Sequence, residues 1–219
     1  MTPDRFRRIA SVLARRQPDL TLVMENVHKP HNFSAVVRTC DAVGVLEAHA
    51  ITPDGTLAVA DAVAQGTRRW MRVRTHASVL EAFDHLHERG FQVLAAHLDE
   101  RAVDFRSVDY TRPTAILMGE ELDGVSAEAA ARADHLVVVP MLGMVASLNV
   151  SVAAALLLFE AQRQRAEAGL YDRRRLDDET WRRTLFEWAY PELAARCRRE
   201  GVPYPDLGPE GELLGEVPR

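Results

Sequence analysis

Short apolar runs alternate with longer amphipathic stretches through most of this 219-residue chain. Leu20 to Val27 (LTLVMENV), Leu46 to Ile51, Trp70 to Thr75, Phe91 to His97, Thr114 to Met118 and His135 to Pro140 are apolar or β-branched and short, which predicts strands. Between them, Asn32 to Val43, Ala77 to Glu88, Ser126 to about Ala133, and Asn149 to about Ala168 predict helices. Gly44 and Arg89-Gly90 supply stop signals for the first two. Thr2-Pro3, a cap followed by proline at the first helical position, opens a helix to about Arg16. Two further helices fit Asp178 to Trp188 and Pro191 to Arg199, and the proline- and glycine-rich end reads as irregular.

Strands alternating with helices over residues 20 to 168 predict an α/β domain, a parallel sheet with helices on both faces. A basic helical extension (1–19) precedes it and an arginine-rich helical extension (169–219) follows. In such sheets ligands sit beyond the carboxyl ends of the strands, so the loops after Val27, His97, Met118 and Pro140 are where chemistry is expected.

Composition narrows the classes. No window reaches 18 apolar residues, the longest run being roughly Val150 to Phe159, so no transmembrane span is expected. The N-terminus lacks the apolar centre of a secretion signal, and Cys40 and Cys197 suggest neither a disulfide framework nor a zinc site. A reducing cytoplasm is the expected location. The net charge of −5 argues by itself against a nucleic-acid binder, but its distribution argues the other way. Lys29 is the single lysine among 27 basic residues, and the arginines cluster at the flanks: Arg5, Arg7, Arg8, Arg15 and Arg16, then Arg163, Arg165, Arg173, Arg174 and Arg175, and onward to Arg199. Flanking basic clusters are the footprint of phosphate-backbone contact; solvated helix faces are the competing reading.

The loops carry the candidate chemistry. After the first strand, Asn32 can cap the next helix, while His28 and His31 have no cysteine or acid at ligand spacing, so no metal site is expected. Arg38 stands among Ala35, Val36, Val37 and Cys40 in a helix that otherwise reads as buried, and a buried guanidinium needs an anionic partner. After TAILM comes GEELDGVS, whose glycines allow close backbone approach but whose three acids would repel a phosphate. The chain contains neither a P-loop nor G-x-G-x-x-G. After the last strand, PMLGMVASLN offers backbone amides and soft side chains for a flat, partly apolar ligand, with Ser147 and Asn149 at the positive end of a helix.

Three segments together resemble a known family. N-x-S-A-x-x-R-T-x-D-A-x-G (Asn32 to Gly44), L-M-G-x-E-x-x-G (Leu117 to Gly124) and P-M-x-G-x-x-x-S-L-N-V-S-V-A (Pro140 to Ala153) resemble motifs 1, 2 and 3 of the SpoU branch of the SPOUT RNA 2′-O-ribose methyltransferases, in order. The flanks, RFRRIASVLARRQPDLTLVMENVHKPHN and EAQRQRAEAGLY, are similar to the TrmH type, which methylates a D-loop guanosine of tRNA (guanosine-18 in standard tRNA numbering).

That resemblance implies a deep trefoil knot, a homodimer and S-adenosyl-L-methionine as cofactor. It implies catalytic roles for Arg38, which would activate the 2′-hydroxyl, and for Asn32, Glu121, Ser147 and Asn149. It also implies a cofactor held by Ala96, His97, Leu98, Met118, Gly119, Val139, Pro140, Met141, Gly143 and Leu148. With tRNA as substrate, Arg5, Arg8, Arg15, Arg163, Arg165 and Arg173 to Arg175 become the expected backbone contacts. Arginine as a literal base conflicts with its reference pKa, so a bidentate phosphate clamp stays open as the other role of Arg38. Other expectations stay open too: a sibling enzyme acting on ribosomal RNA or the wobble position, and a non-catalytic RNA-binding protein of the same fold.

Overall fold

A computed structural model of the chain describes residues 1–52, 70–120 and 123–215. Two compact units emerge: Gln17–Leu170, and Met1–Arg16 together with Tyr171–Arg219.

The first unit is built on a parallel sheet. Its strands are β1 (Leu20–Glu25), β2 (Glu47–Ile51), β3 (Arg72–His76), β4 (Gln92–Ala96), β5 (Val103–Asp104), β6 (Thr114–Met118) and β7 (His135–Val138). They lie in the order β3-β2-β1-β6-β4-β7-β5, every pairing parallel. All six residues of β1 are buried, as expected of a strand covered on both faces. The side-chain period of two divides them. Leu20, Leu22 and Met24 join the core under α2 (Pro30–Ala42) and α5 (Val150–Glu167). Val23 joins the opposite core under α3 (Val79–His87) and α4 (Ala127–Arg132). Helices on both faces are therefore borne out. The edge strand β3 alternates little and presents Arg72, Arg74 and Thr75 to solvent, which discourages pairing with another edge.

Several boundaries differ from the sequence reading. β1 stops at Glu25 because Asn26 takes φ +53°, outside the strand region. α2 starts two residues early: Pro30 occupies its first turn and Lys29 its N-cap, without a side-chain cap bond. Asn32 is therefore not a cap but a buried residue of the first turn, freed for another contact. The two-residue β5 and the short 3₁₀ turn Phe105–Ser107 were not anticipated, being too short to carry a hydrophobic period.

In the second unit, α1 (Pro3–Ala14) is capped by Thr2, whose hydroxyl accepts from the Arg5 N–H, and buries Phe6, Ile9 and Leu13. It packs on α6 (Asp178–Ala189), which is followed by α7 (Pro191–Glu200). Arg16 is buried with its guanidinium over the Trp188 ring, 5.1 Å from the centroid. The end of the chain is more ordered than expected: β8 (Asp206–Leu207) and β9 (Leu213–Leu214) form an antiparallel hairpin. The Tyr190 hydroxyl donates to the Gly211 carbonyl across it at 2.6 Å. No described helix is long and apolar enough to cross a membrane.

Arg165, near the end of α5, is fully buried, which corrects its expected role as an RNA contact. Its Nε donates to the Tyr110 carbonyl at 2.8 Å, Nη1 to Gln17 Oε1 at 3.0 Å and Asp19 Oδ1 at 2.7 Å, and Nη2 to the carbonyls of Asp19 and Arg112, both at 2.9 Å. Asp19 precedes β1, and Arg112 lies just ahead of β6. The guanidinium thus ties the last turns of α5 to the entry of the two central strands. Removing it takes a charged donor away from an acid and three carbonyls at a buried junction. We predict that Arg165→Ala loses about 3–5 kcal/mol of stability, read by urea unfolding.

Candidate active site

The carboxyl ends of β4, β6 and β7 open onto one cavity of about 290 Å³. Ala96, His97 and Leu98 enter from the end of β4; Met118, Gly119, Glu120, Asp123 and Gly124 from β6; Val137, Val138, Val139 and Met141 from β7. The segment Ala146-Ser147-Leu148 and the α5 residues Val150, Ala153 and Leu157 close it.

Local chemistry explains the shape. The loop after β6 folds back sharply, with the Gly124 N–H donating to the Glu120 carbonyl at 3.1 Å. Gly124 takes φ +70°, a conformation side chains disfavour. A Cβ on Gly119 would stand 2.0 Å from the Gly124 carbonyl carbon, so only glycine permits this closure. Beyond the loop, the Ser126 N–H donates to Glu25 Oε2 at 3.0 Å, anchoring the return to β1. The floor is apolar, from Val137, Val150, Ala153 and Leu157, while Glu120 and Asp123 put carboxylates at the rim. Such a cavity suits a flat, partly apolar ligand carrying positive charge or hydrogen-bond donors.

Asn149 stands where this cavity meets α5. It is the N-cap: its Oδ1 accepts from the Ser151 N–H at 2.9 Å and the Ser151 hydroxyl at 2.6 Å. Its Nδ2 donates to Asn32 Oδ1 at 3.2 Å, so one side chain caps α5 and ties it to the first turn of α2. The amide orientations follow from this network.

The expected residues fall out as follows. Ala96, His97, Leu98, Met118, Gly119, Val139, Met141 and Leu148 line the cavity, as does Ser147. Pro140 and Gly143 belong to the same loop without lining it, and Glu121 lies outside the described residues. Asn32 is reached through Asn149. Arg38 does not line the cavity and is exposed, against the expectation of burial: α2 turns Phe33, Val36, Val37 and Cys40 inward, which puts Arg38 outward. No hydrogen bond or ion pair engages its guanidinium among the described residues. The helical stripe Val150, Ala153 and Leu157 was missed as part of the site, although i, i+3, i+7 spacing from a helix start could have flagged it.

The basic residues divide. Arg5, Arg8, Arg15 and Arg173 are exposed. Arg174 pairs with Asp178 and lies over Trp181, 5.2 Å from the ring centroid, and Arg175 is half-buried. Arg163 is exposed but clasped by Glu160 and Glu167, each at 2.7 Å, so that part of α5 carries net negative charge.

Residues 19–159 match the SpoU rRNA Methylase family, and residues 163–216 match the SpoU rRNA methylase C-terminal family. The chain belongs to the SpoU methylase family. It is 53% identical to the tRNA (guanosine(18)-2′-O)-methyltransferase of Escherichia coli K12 over 219 residues, 99% of this chain and 96% of that one. Its fold matches the crystal structure of the A. aeolicus TrmH/SpoU tRNA modifying enzyme with a TM-score of 0.80 and 43% identity, covering 87% of this chain and 97% of the other. The SpoU methyltransferase AviRb of Streptomyces viridochromogenes, solved in complex with the cofactor AdoMet, aligns at TM-score 0.61 and 25% identity, over 70% of this chain and 59% of that one. The seven-stranded parallel sheet is thus the α/β SPOUT architecture of the SpoU enzymes.

The double role of Asn149 is separable. Asn149→Ala should cost about 1 kcal/mol of stability in urea unfolding, whereas Asn149→Asp keeps the cap acceptor and should lose less than half of that. Equal losses would show that the bond to Asn32, not the cap, carries the effect.

Proposed function

We propose that this SpoU-family chain is an S-adenosyl-L-methionine-dependent tRNA methyltransferase that methylates the 2′-hydroxyl of the D-loop guanosine, position 18. The observation that carries this is the 53% identity to a tRNA (guanosine(18)-2′-O)-methyltransferase over 99% of the chain, flanks included. A sibling acting on ribosomal RNA is the competing reading, against which stands an identity to a tRNA enzyme that runs through both flanks.

The residues present fit the methyl donor. S-adenosyl-L-methionine supplies an electrophilic methyl on a sulfonium. The Gly119–Gly124 closure leaves room for a ligand against main chain, the apolar floor suits an adenine, and the carboxylates of Glu120 and Asp123 suit positive charge and donor groups. The loop from Val139 to Leu148, with Pro140, Met141 and Gly143, is the segment that wraps the cofactor, and the same reading makes it part of a trefoil knot. Ser147 and Asn149 place polar atoms at its edge, with Asn32 held behind Asn149. Glu121 completes the set.

In-line transfer to a ribose oxygen rests on alignment, a contribution of roughly 7–11 kcal/mol when geometry is held. Arg38 serves that alignment as a clamp. Its guanidinium is exposed, and the planar fork matches a phosphate. Arg5, Arg8, Arg15 and Arg173 supply exposed charge for the tRNA backbone.

The working unit is a homodimer. Val152, Leu156 and Phe159 are 48%, 40% and 52% exposed at i, i+4, i+7 on α5, an apolar stripe of the kind that a second copy covers. Cys40 and Cys197 are buried and form no disulfide, in keeping with a cytoplasmic enzyme.

Four expectations test this. An unmodified tRNA transcript should accept one labelled methyl, and the same transcript with adenosine at position 18 should accept none; equal labelling of both would defeat the assignment. In that assay Arg38→Ala should lower turnover and tRNA affinity together, whereas unchanged affinity with turnover abolished would reject the clamp. Arg8→Ala and Arg173→Ala should each reduce the slope of log affinity against log salt by about 1, with Arg163→Ala nearly silent. Finally, Phe159→Glu should convert a dimer to a monomer in sedimentation equilibrium, and a wild-type monomer would refute the dimer.

A further inference from the structure

Three histidines gather on the α3 side of the sheet, away from the cavity at the strand ends. His49 on β2 and His76 at the end of β3 are buried at 2% and 3% exposure, and His85 on α3 is half-buried. Their ring centroids lie 5.2–5.5 Å apart, with His49 stacked on His76 and His85 tilted against both. Glu47, two residues before His49 on the same face of β2, completes the group. One donor atom each from Glu47, His49 and His85 lies within 4.8 Å of the others.

We propose that Glu47, His49 and His85 bind a divalent transition-metal ion of the zinc type, clamping α3 to β2 beside the sheet edge. Two imidazoles and one carboxylate form a donor set that zinc accepts, with a fourth position left for water. Donors around a tetrahedral ion at 2.0–2.2 Å stand about 3.3 Å apart, so small side-chain rotations close the present spacing.

The surroundings prepare His49 as a ligand. Its Nδ1 lies 2.9 Å from His76 Nε2, and His76 Nδ1 lies 3.5 Å from Glu81 Oε1. The carboxylate of Glu81 favours a proton on His76 Nδ1, which makes His76 Nε2 the acceptor and His49 Nδ1 the donor. His49 Nε2 then carries the free lone pair. An outer partner that fixes the tautomer of a ligating histidine is the usual support of a metal site. Burial is the first cause that favours the uncharged ring at His49, His76 and His85. Two cations face the group: Arg74 Nε donates to Glu47 Oε1 at 3.1 Å, and Arg89 Nη1 lies 3.3 Å from His85 Nε2. Glu47 keeps its second oxygen for the ion, and both arginines have exposed side chains free to turn outward.

The sequence spacing offers no metal motif here, because the donors come from a strand and a helix separated by the whole of β3. None of the three ligands lines the methyltransferase cavity, so the site is independent of the reaction proposed above.

Titration of the untagged, chelator-stripped full chain with Co²⁺ tests the proposal. We expect visible d–d bands that saturate at one ion per chain, are displaced by Zn²⁺, and accompany a rise in thermal midpoint. His85→Gln and Glu47→Gln, which are both partly exposed and leave the folded core intact, should each weaken binding by about tenfold or more. Basal methyl transfer by His85→Gln without metal should equal that of the wild type. Absence of Co²⁺ and Zn²⁺ binding at millimolar metal, or undiminished binding by both variants, would overturn the site.

Discussion

One buried guanidinium governs how the site is assembled. Arg165 is cut off from solvent, so its guanidinium persists in the interior only because Asp19, Gln17 and three backbone carbonyls converge on it. Those carbonyls belong to the segments that lead into β1 and β6. The arginine thereby sets the axial position of α5 against the central strands. A helix held only by Ala154, Leu157, Leu158 and Ala161 could slide on an apolar surface, whereas directional bonds to five acceptors forbid it.

With one end of α5 fixed, the other end becomes a defined place. Asn149 caps it there and reaches Asn32, so the first turns of α2 and α5 are joined at the mouth of the cavity. The first turns of α5 then serve both as floor, through Val150, Ala153 and Leu157, and as a positive dipole end. The three polar residues at this helix start divide their work accordingly: Asn149 and Ser151 satisfy the cap, and Ser147 is left facing the cavity. Opposite, the glycine pair 119 and 124 brings the β6 loop close enough to enclose the space from the other side.

Much of this was legible in the chain. Strand and helix alternation gave the parallel sheet, and the rule that ligands sit at carboxyl strand ends led to the loops after β4, β6 and β7. The failures have physical causes. Arg165 looked like Arg163 because helix-surface and helix-core arginines near a basic end share one sequence signature; burial depended on Asp19, some 146 residues away. Asn32 looked like a cap, but Pro30 and Lys29 had already begun the helix, so a polar residue that seemed local became tertiary. Arg38 read as buried because its neighbours are apolar, yet a helix turns every residue by about 100° and places it on the far side. The histidine cluster was invisible because β2, β3 and α3 contribute one ring each.

The central claim is that the cavity enclosed by the Gly119–Gly124 closure and α5 holds the methyl donor. Calorimetric titration of S-adenosyl-L-methionine into the wild-type chain and into Gly119→Ala tests it most directly. A Cβ at 119 meets backbone and forces the loop open. Binding to the wild type at one cofactor per chain, weakened about tenfold or more in the folded variant, is the predicted result. Equal affinity in the two proteins would place the cofactor elsewhere and contradict the claim.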